Sequence, residues 1–252
     1  NIVASHKGTF GRDDSEPDWE AYTNCFKGDG LRIDCSVHAM ACPIAPSRIA
    51  NNWPDARLII CLREPVSRTV SHWNMVLDTK EDQENGSDWG VFEKAWADPR
   101  LSDDTLYGAA ISRWLEQFDR DSILLIEANR MRYNASEVLE DVCNHLSVPS
   151  HSFNFNLVKN ANTAEDRRPI TAFGRMFRFA AGLLPGFIKA PIVRGLQSRG
   201  INVYKLPVLS AKSALKRTIT EEQRALLAPD INTDLELLEE SMGFDCSKWH
   251  IQ

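Results

Sequence analysis

Leu58-Ile59-Ile60-Cys61-Leu62-Arg63-Glu64-Pro65-Val66-Ser67-Arg68-Thr69-Val70-Ser71-His72-Trp73 reads as a strand that delivers its chain into a helix. The run from Arg57 to Leu62 is short, apolar and β-rich, the pattern of a buried strand. Cys61 inside it reads as a small core residue. Arg63-Glu64-Pro65 ends the strand. Pro65 suits the first turn of a helix running to about Leu77, because the N–H it lacks would have no helical partner there. Arg63 thus lies where a strand ends, on the side where open α/β sheets bind ligands. Ser71 follows eight residues later, two turns into the helix. A guanidinium and a hydroxyl so placed can grip one phosphate, the first through a charge-assisted fork. An arginine capping carboxylates near a sheet edge would show the same pattern, and these residues alone leave both readings open.

The flanks repeat the alternation. Ala45 to Asn52 is predicted as a short helix before the strand. Asp88 is placed to cap a helix carrying Val91, Phe92 and Trp96, and a further helix is expected from about Asp104 to Phe118. Ser122 to Ala128 is a second buried strand. Asn134 with Glu137 resembles a capping box for a helix through Leu146. Thr220 with Gln223 opens another helix, and a last one covers about Asn232 to Ser241, stopped by Gly243. Helices alternating with buried β runs predict an α/β fold, a parallel sheet flanked by helices.

The 252-residue chain is 43% hydrophobic and 25% charged, which excludes disordered, collagen-like and coiled-coil classes. No apolar run approaches the ~20 residues of a membrane span. The six cysteines show no zinc spacing, and the compartment stays open. Asn85-Gly86-Ser87 and Asn134-Ala135-Ser136 fit the glycosylation acceptor pattern, which is common by chance. Charge is segregated. Eleven of the 29 Lys and Arg residues, and none of the 35 Asp and Glu, lie from Arg167 to Thr220. That stretch carries +11 and the remainder −17, which points either to an anionic ligand or surface nearby or to a plain solvated basic face.

The 58–73 segment resembles the 3′-phosphate-binding motif of sulfotransferases that use 3′-phosphoadenosine-5′-phosphosulfate (PAPS): an apolar strand, Arg-x-Pro, a second Arg, and Ser eight residues after the first. Trp19-x-x-Tyr22 with Phe26, Asp34-Cys35-Ser36, and Arg48-Ile49…Pro54-Asp55-Ala56-Arg57-Leu58-Ile59 resemble family elements in the same order. So do Trp114-Leu115…Phe118, the strand ending in Glu127, and Asp230-Ile231…Leu235…Gly243-Phe244-Asp245…Trp249. The similarity is greatest to the carbohydrate (heparan-sulfate-type) branch and its bacterial relatives. It implies a nucleotide-kinase-like, P-loop-type fold and one sulfotransferase domain over 1–252. It also implies sulfuryl transfer from PAPS, without a metal, to a hydroxyl or amine of a carbohydrate or small metabolite. Arg63 and Ser71 carry over as ligands of the nucleotide 3′-phosphate. Lys216 and Arg217 are the best match to the family's late basic loop over that nucleotide. The compartment implied is the cytoplasm for a bacterial chain and the Golgi lumen for a eukaryotic one.

The departures concern the 5′ side. The family's Gly-rich Lys-x-Gly-Thr-Thr-x-Leu loop cradles the phosphosulfate at a helix N-terminus. Here His6-Lys7-Gly8-Thr9-Phe10 is either its eroded remnant or the next family element, Lys-Glu-x-x-Phe-Phe. The second alignment fits better and puts the loop upstream of residue 1. Lys7 then keeps the Lys that stabilises charge on the transferred group, while Gly8 replaces the Glu that serves as base. His6, with an ordinary pKa of ~6.5 suited to proton abstraction near neutrality, and Asp34 are the candidate substitutes; either also suits an exposed turn.

The basic segment 167–220 is expected on the acceptor side, facing a carbohydrate or small molecule that is itself anionic, with nucleic acid not expected as a partner. Within it, 173–189 mixes Phe, Met and Leu with Arg at near-helical spacing. It fits a substrate lid, a peripheral contact with an anionic membrane, or an ordinary core helix. Two other functions stay open: a non-catalytic relative that binds an anionic glycan or nucleotide, and a P-loop-type kinase. The kinase would need Gly-x-x-x-x-Gly-Lys-Ser/Thr, which is absent from the chain.

Overall fold

The computed structural model describes residues 2–150, 152–154, 171–182, 195, 209 and 216–252. The chain opens with an antiparallel hairpin, β1 (His6–Lys7) and β2 (Gly11–Arg12). Two helices follow, α1 (Trp19–Thr23) and α2 (Ala45–Asn52), the latter as the sequence predicts. Then come β3 (Leu58–Leu62) and α3 (Pro65–Thr79). Three short helices, α4 (Glu81–Glu84), α5 (Phe92–Trp96) and α6 (Pro99–Ser102), lead to α7 (Tyr107–Leu115). β4 (Ile123–Glu127) is followed by α8 (Ala128–Tyr133), α9 (Ala135–His145), α10 (Ala172–Gly182) and α11 (Glu221–Met242).

β3 and β4 pair in parallel, register running from Leu58 opposite Ile123 to Leu62 opposite Glu127. Parallel strands need a crossover of a dozen or more residues, and α3 to α7 provide it. The chain is therefore α/β. The core lies on one side of this pair, where Leu62, Val66, Trp73, Val76, Phe92, Ile111, Trp114, Ile123, Ile231, Leu235 and Leu238 are buried together. Four indole N–H groups in or beside it are satisfied: Trp73 donates to the Trp89 carbonyl, Trp114 to the Met40 carbonyl, Trp89 to Asp98 and Trp96 to Asp230. Such pairing lets large amphipathic rings be buried without an orphaned donor.

Several sequence expectations change. β3 alternates between half-buried and exposed, and Cys61 is exposed rather than in the core. An apolar run locates a strand but does not say which faces of it are covered. Asp88 does not cap α5, whose N-cap is Val91. Its carboxylate instead holds Gly90 N–H and Lys94. The Asn134–Glu137 pair forms no capping box: the Asn134 amide donates to the Glu137 carboxylate, leaving the helix amides uncapped by it. The two C-terminal helices are one. Thr220 and Gln223 form the full capping box and Gly243 ends the helix in the left-handed conformation at φ 61°, but Pro229 lies inside it. An interior proline costs about 3 kcal/mol; burial of Leu227, Ile231, Leu235, Leu238 and Met242 on both sides of Pro229 offsets it.

Candidate functional site at the carboxyl end of the parallel strands

Arg63 leaves the end of β3 exposed to solvent, and none of the ion pairs among the described residues uses it. Its backbone is fixed by Tyr107, whose hydroxyl donates to the Arg63 carbonyl at 2.9 Å. Burial drives the Tyr107 phenol up to about 12, so it stays a donor at any working pH. Glu64 caps α3, accepting from Val66 N–H at 2.9 Å and Ser67 N–H at 2.7 Å. The amides that would attract an anion at this helix start are thereby occupied. An anion here must be gripped by side chains. Arg68, the second arginine of the motif, is not one of them: it pairs with Asp104 at 2.6 Å and donates to Thr105 at 3.2 Å, tying α3 to the start of α7.

Ser71 is half-buried on α3. The same helix holds the late basic loop. Asn74, one turn beyond Ser71, donates to the Arg217 carbonyl at 2.9 Å and accepts from Arg217 N–H at 3.0 Å, while the Arg217 guanidinium pairs with Asp78 at 3.0 Å. A side-chain amide satisfying both main-chain groups of one residue fixes that backbone as a strand partner would. Lys216 is exposed beside it. The structure thus brings Arg63, Ser71, Lys216 and Arg217 onto or against one strand–helix unit, with Arg217 partly neutralised by Asp78.

Residues 6–10 are a hairpin, not a strand–loop–helix, and no helix begins until Trp19. These residues therefore lack the geometry of a phosphate loop at a helix N-terminus. Arg48 of α2 clamps the hairpin, donating to the carbonyls of Val3, Asp14 and Ser15. Thr9 at the turn shares a 2.8 Å hydrogen bond with His72 Nε2, which fastens the hairpin to α3 beside Ser71. Gly8 has φ +81°, a conformation that costs L-residues about 1–2 kcal/mol. A Glu there would carry that strain, so the base of the resembled family has no easy place at this position.

His6 is half-buried, and burial followed by the Arg12 guanidinium lowers its pKa; Asp104 opposes them, and His38 and Arg113 add to the lowering. The ring is therefore mainly neutral at pH 7, the state that accepts a proton. Lys7 is exposed on the neighbouring position of the strand. Its ammonium donates to the Ala4 carbonyl at 2.9 Å. Asp34 is exposed and accepts from the Tyr22 hydroxyl at 2.8 Å, which pins its loop to the edge-on and tilted ring cluster of Trp19, Tyr22, Phe26 and Trp53. Burial and then this bond raise the Tyr22 phenol. Sequence reasoning missed Arg12, His38, Asp104 and Arg113 around His6, for they come from separate segments with no shared local pattern.

Two concavities of about 330 and 410 Å³ lie elsewhere, at the amino ends of β3 and β4 and along β4, lined by Arg57, Glu116 and Asp119 and by Arg120, Leu124 and Phe244 among others. Neither includes Arg63, Ser71 or His6. No group of His, Cys, Asp and Glu among the described residues is arranged to hold a metal ion.

The fold and this site define a nucleotide-kinase-like α/β protein with a cationic rim at the carboxyl end of its strands. The crystal structure of a sulfotransferase from Alicyclobacillus acidocaldarius has the same fold, with a TM-score of 0.53, 18% identity, and coverage of 93% of this chain and 75% of that one. Over 125 residues, 46% of the chain, the sequence is 26% identical to heparan sulfate glucosamine 3-O-sulfotransferase 5 of Mus musculus. The Homo sapiens protein of that name matches to the same extent. The match spans 36% of those relatives' length. No family model matches the chain. The chain is thus similar in sequence to part of these sulfotransferases and shares the α/β fold of the bacterial one.

Proposed function

We propose that the protein is a sulfotransferase that takes its sulfuryl group from PAPS and delivers it to a hydroxyl or amine of a carbohydrate or small metabolite. The observation that carries this is the exposed guanidinium of Arg63 at the end of β3, two helical turns from Ser71, beside a helix start whose Val66 and Ser67 amides Glu64 already occupies. The residues fit the nucleotide. Arg63 and Ser71 would hold its 3′-phosphate, and Lys216 and Arg217, whose backbone Asn74 holds against α3, would supply the basic loop over the nucleotide. PAPS supplies the sulfuryl group when bound. His6 acts as the base: its lowered pKa keeps the ring neutral at pH 7, the state that accepts the acceptor's proton. Arg12 and Arg113 then offset negative charge that develops beside it. Asp34, committed to Tyr22, positions the neighbouring loop instead.

Calorimetry with adenosine 3′,5′-bisphosphate tests the nucleotide assignment. A charge-assisted contact is worth about 1.5–3 kcal/mol, so Arg63→Ala should weaken binding by roughly tenfold or more. Adenosine 5′-phosphate, lacking the 3′ group, should bind the wild type about as weakly as the bisphosphate binds the variant. Equal affinity of wild type and Arg63→Ala for the bisphosphate refutes the assignment.

A further inference from the structure

We infer that Asp104 is a positioning residue for the proposed transfer: through His72 it holds the hairpin that carries His6 in place against the helix that carries Ser71. This role rests on the reading of His6 as the base. Asp104 lies in the turn between α6 and α7, its side chain 21% exposed, and one of its oxygens serves two residues of α3. Oδ2 accepts from Arg68 at 2.6 Å and faces His72 Nδ1 at 3.6 Å, an electrostatic contact longer than a hydrogen bond. The other ring nitrogen, Nε2, is the one bonded to Thr9 at 2.8 Å. A carboxylate opposite Nδ1 favours the proton there and leaves Nε2 to accept from the Thr9 hydroxyl. A chain of groups thus runs from Asp104 through an imidazole to the turn of the hairpin.

The surroundings of this chain are closed. Thr9 is 6% exposed and the His72 side chain 9%. Beside Thr9, Phe10 packs on Trp89 with ring centroids 5.2 Å apart, and the His72 ring meets the same indole at 6.0 Å. Thr105 completes the junction: its hydroxyl is shared with Thr69 at 2.8 Å and accepts from Arg68 at 3.2 Å. The hairpin is therefore held at two ends, by Arg48 at its base and by His72 at its turn. Pairing with Arg12 across the hairpin then fixes the His6 main chain. In a transfer that depends on alignment, a displacement of about 1 Å can cost 10²-fold in rate. Asp104 also reaches His6 through its field. Burial disfavours the charged ring most, and Arg12 of β2, His38 ahead of α2 and Arg113 of α7 add to it; the Asp104 carboxylate opposes them. The same side chain bears on where the base stands and on how readily it takes a proton.

Steady-state kinetics and proton NMR on the full chain test both effects. Asp104→Asn keeps the shape and removes the charge. Its kcat should fall by about tenfold or more, while affinity for adenosine 3′,5′-bisphosphate does not weaken. The His6 titration midpoint should move to lower pH, and the acid limb of kcat/KM should move with it, a shift that a merely structural role would not produce. Thr9→Val cuts the tether without touching a charge and should lower kcat several-fold, and Thr9→Ser should restore it. Should Asp104→Asn not fold, the Thr9 pair decides. Wild-type kcat in folded Asp104→Asn, an unmoved His6 midpoint in that variant, or normal turnover by Thr9→Val each overturns the assignment. Failure of the base reading looks different: His6→Ala then turns over at the wild-type rate while the His6 midpoint of Asp104→Asn still moves, and that result removes the positioning role along with the base.

Discussion

The seam between α7 and α11 and the rim around Arg63 and His6 are built on opposite terms. In the seam, the buried Asp234 carboxylate of α11 accepts from Gly108 N–H and Ala109 N–H at 2.8 Å each, capping α7 across the helix interface. Asn232 exchanges two hydrogen bonds with the Ile251 backbone, and Arg120 closes the helix end through the Met242 carbonyl. Gly108 lets the helices meet, since a Cβ there would collide with the Asp234 carbonyl oxygen. At the rim, by contrast, Arg63 and Lys216 point to water and His6 sits among charges that disfavour its own. A saturated seam has nothing left to gain from a ligand. At the rim, Arg63 is in none of the ion pairs found among the described residues, and such a cation gains interaction energy when an anion arrives.

The contrast breaks first at His6. His6→Ala should lower sulfate transfer by about 10²–10⁴-fold, the usual range for a general base, while adenosine 3′,5′-bisphosphate affinity stays the same by calorimetry. In the wild type, kcat/KM should hold steady at neutral pH and fall only below the ordinary imidazole value of 6.5, because the ring's pKa is lowered. Turnover of the variant within a few-fold of wild type would move the base elsewhere, with Asp34→Asn the next variant to assay.

The seam should respond in stability and not in binding. Gly108→Ala forces two packed backbones apart and should cost roughly 1–3 kcal/mol. Asp234→Ala removes a charge-assisted acceptor from two buried amides and should cost about as much. Urea denaturation measures both. Bisphosphate affinity of the folded fraction should be unchanged, and a parallel loss of affinity would show that seam and rim are coupled.

A smaller effect follows from the folded-state pKa of His6. Because the unfolded chain binds a proton at His6 more readily, stability is present above pH 6.5 and declines as pH falls below it toward the folded value. His6→Gln should flatten that part of the stability profile, read from denaturation midpoints between neutral and mildly acidic pH. A profile of the same slope in the variant would assign the titration to another group.

The smallest change is expected at Asp34. Asp34→Asn keeps an acceptor for the Tyr22 hydroxyl on an exposed surface, so stability should shift by no more than about 0.5 kcal/mol and the kcat/KM pH profile should not move. A loss of the acid limb in Asp34→Asn would exchange the roles assigned to the two residues.

What the sequence determined by itself is what short-range chemistry fixes. The strand that ends at Arg63, the helix that Pro65 opens, the Thr220–Gln223 capping box and the stop at Gly243 each depend on a few adjacent residues, and all are found in place. The motif also put Arg63 at a carboxyl strand end, which parallel pairing with β4 makes the rim of a sheet. The tertiary structure alone decided the rest. Cys61 is exposed because coverage of a strand face depends on distant elements. Helix α11 runs through Pro229 because packing against α7 outweighs one lost hydrogen bond. Arg68 is withdrawn from anion binding by Asp104, a partner 36 residues away. His6 is held toward its neutral state by burial and then by Arg12, with His38 and Arg113 adding and Asp104 opposing, and electrostatic fields add over space with no regard to position along the chain.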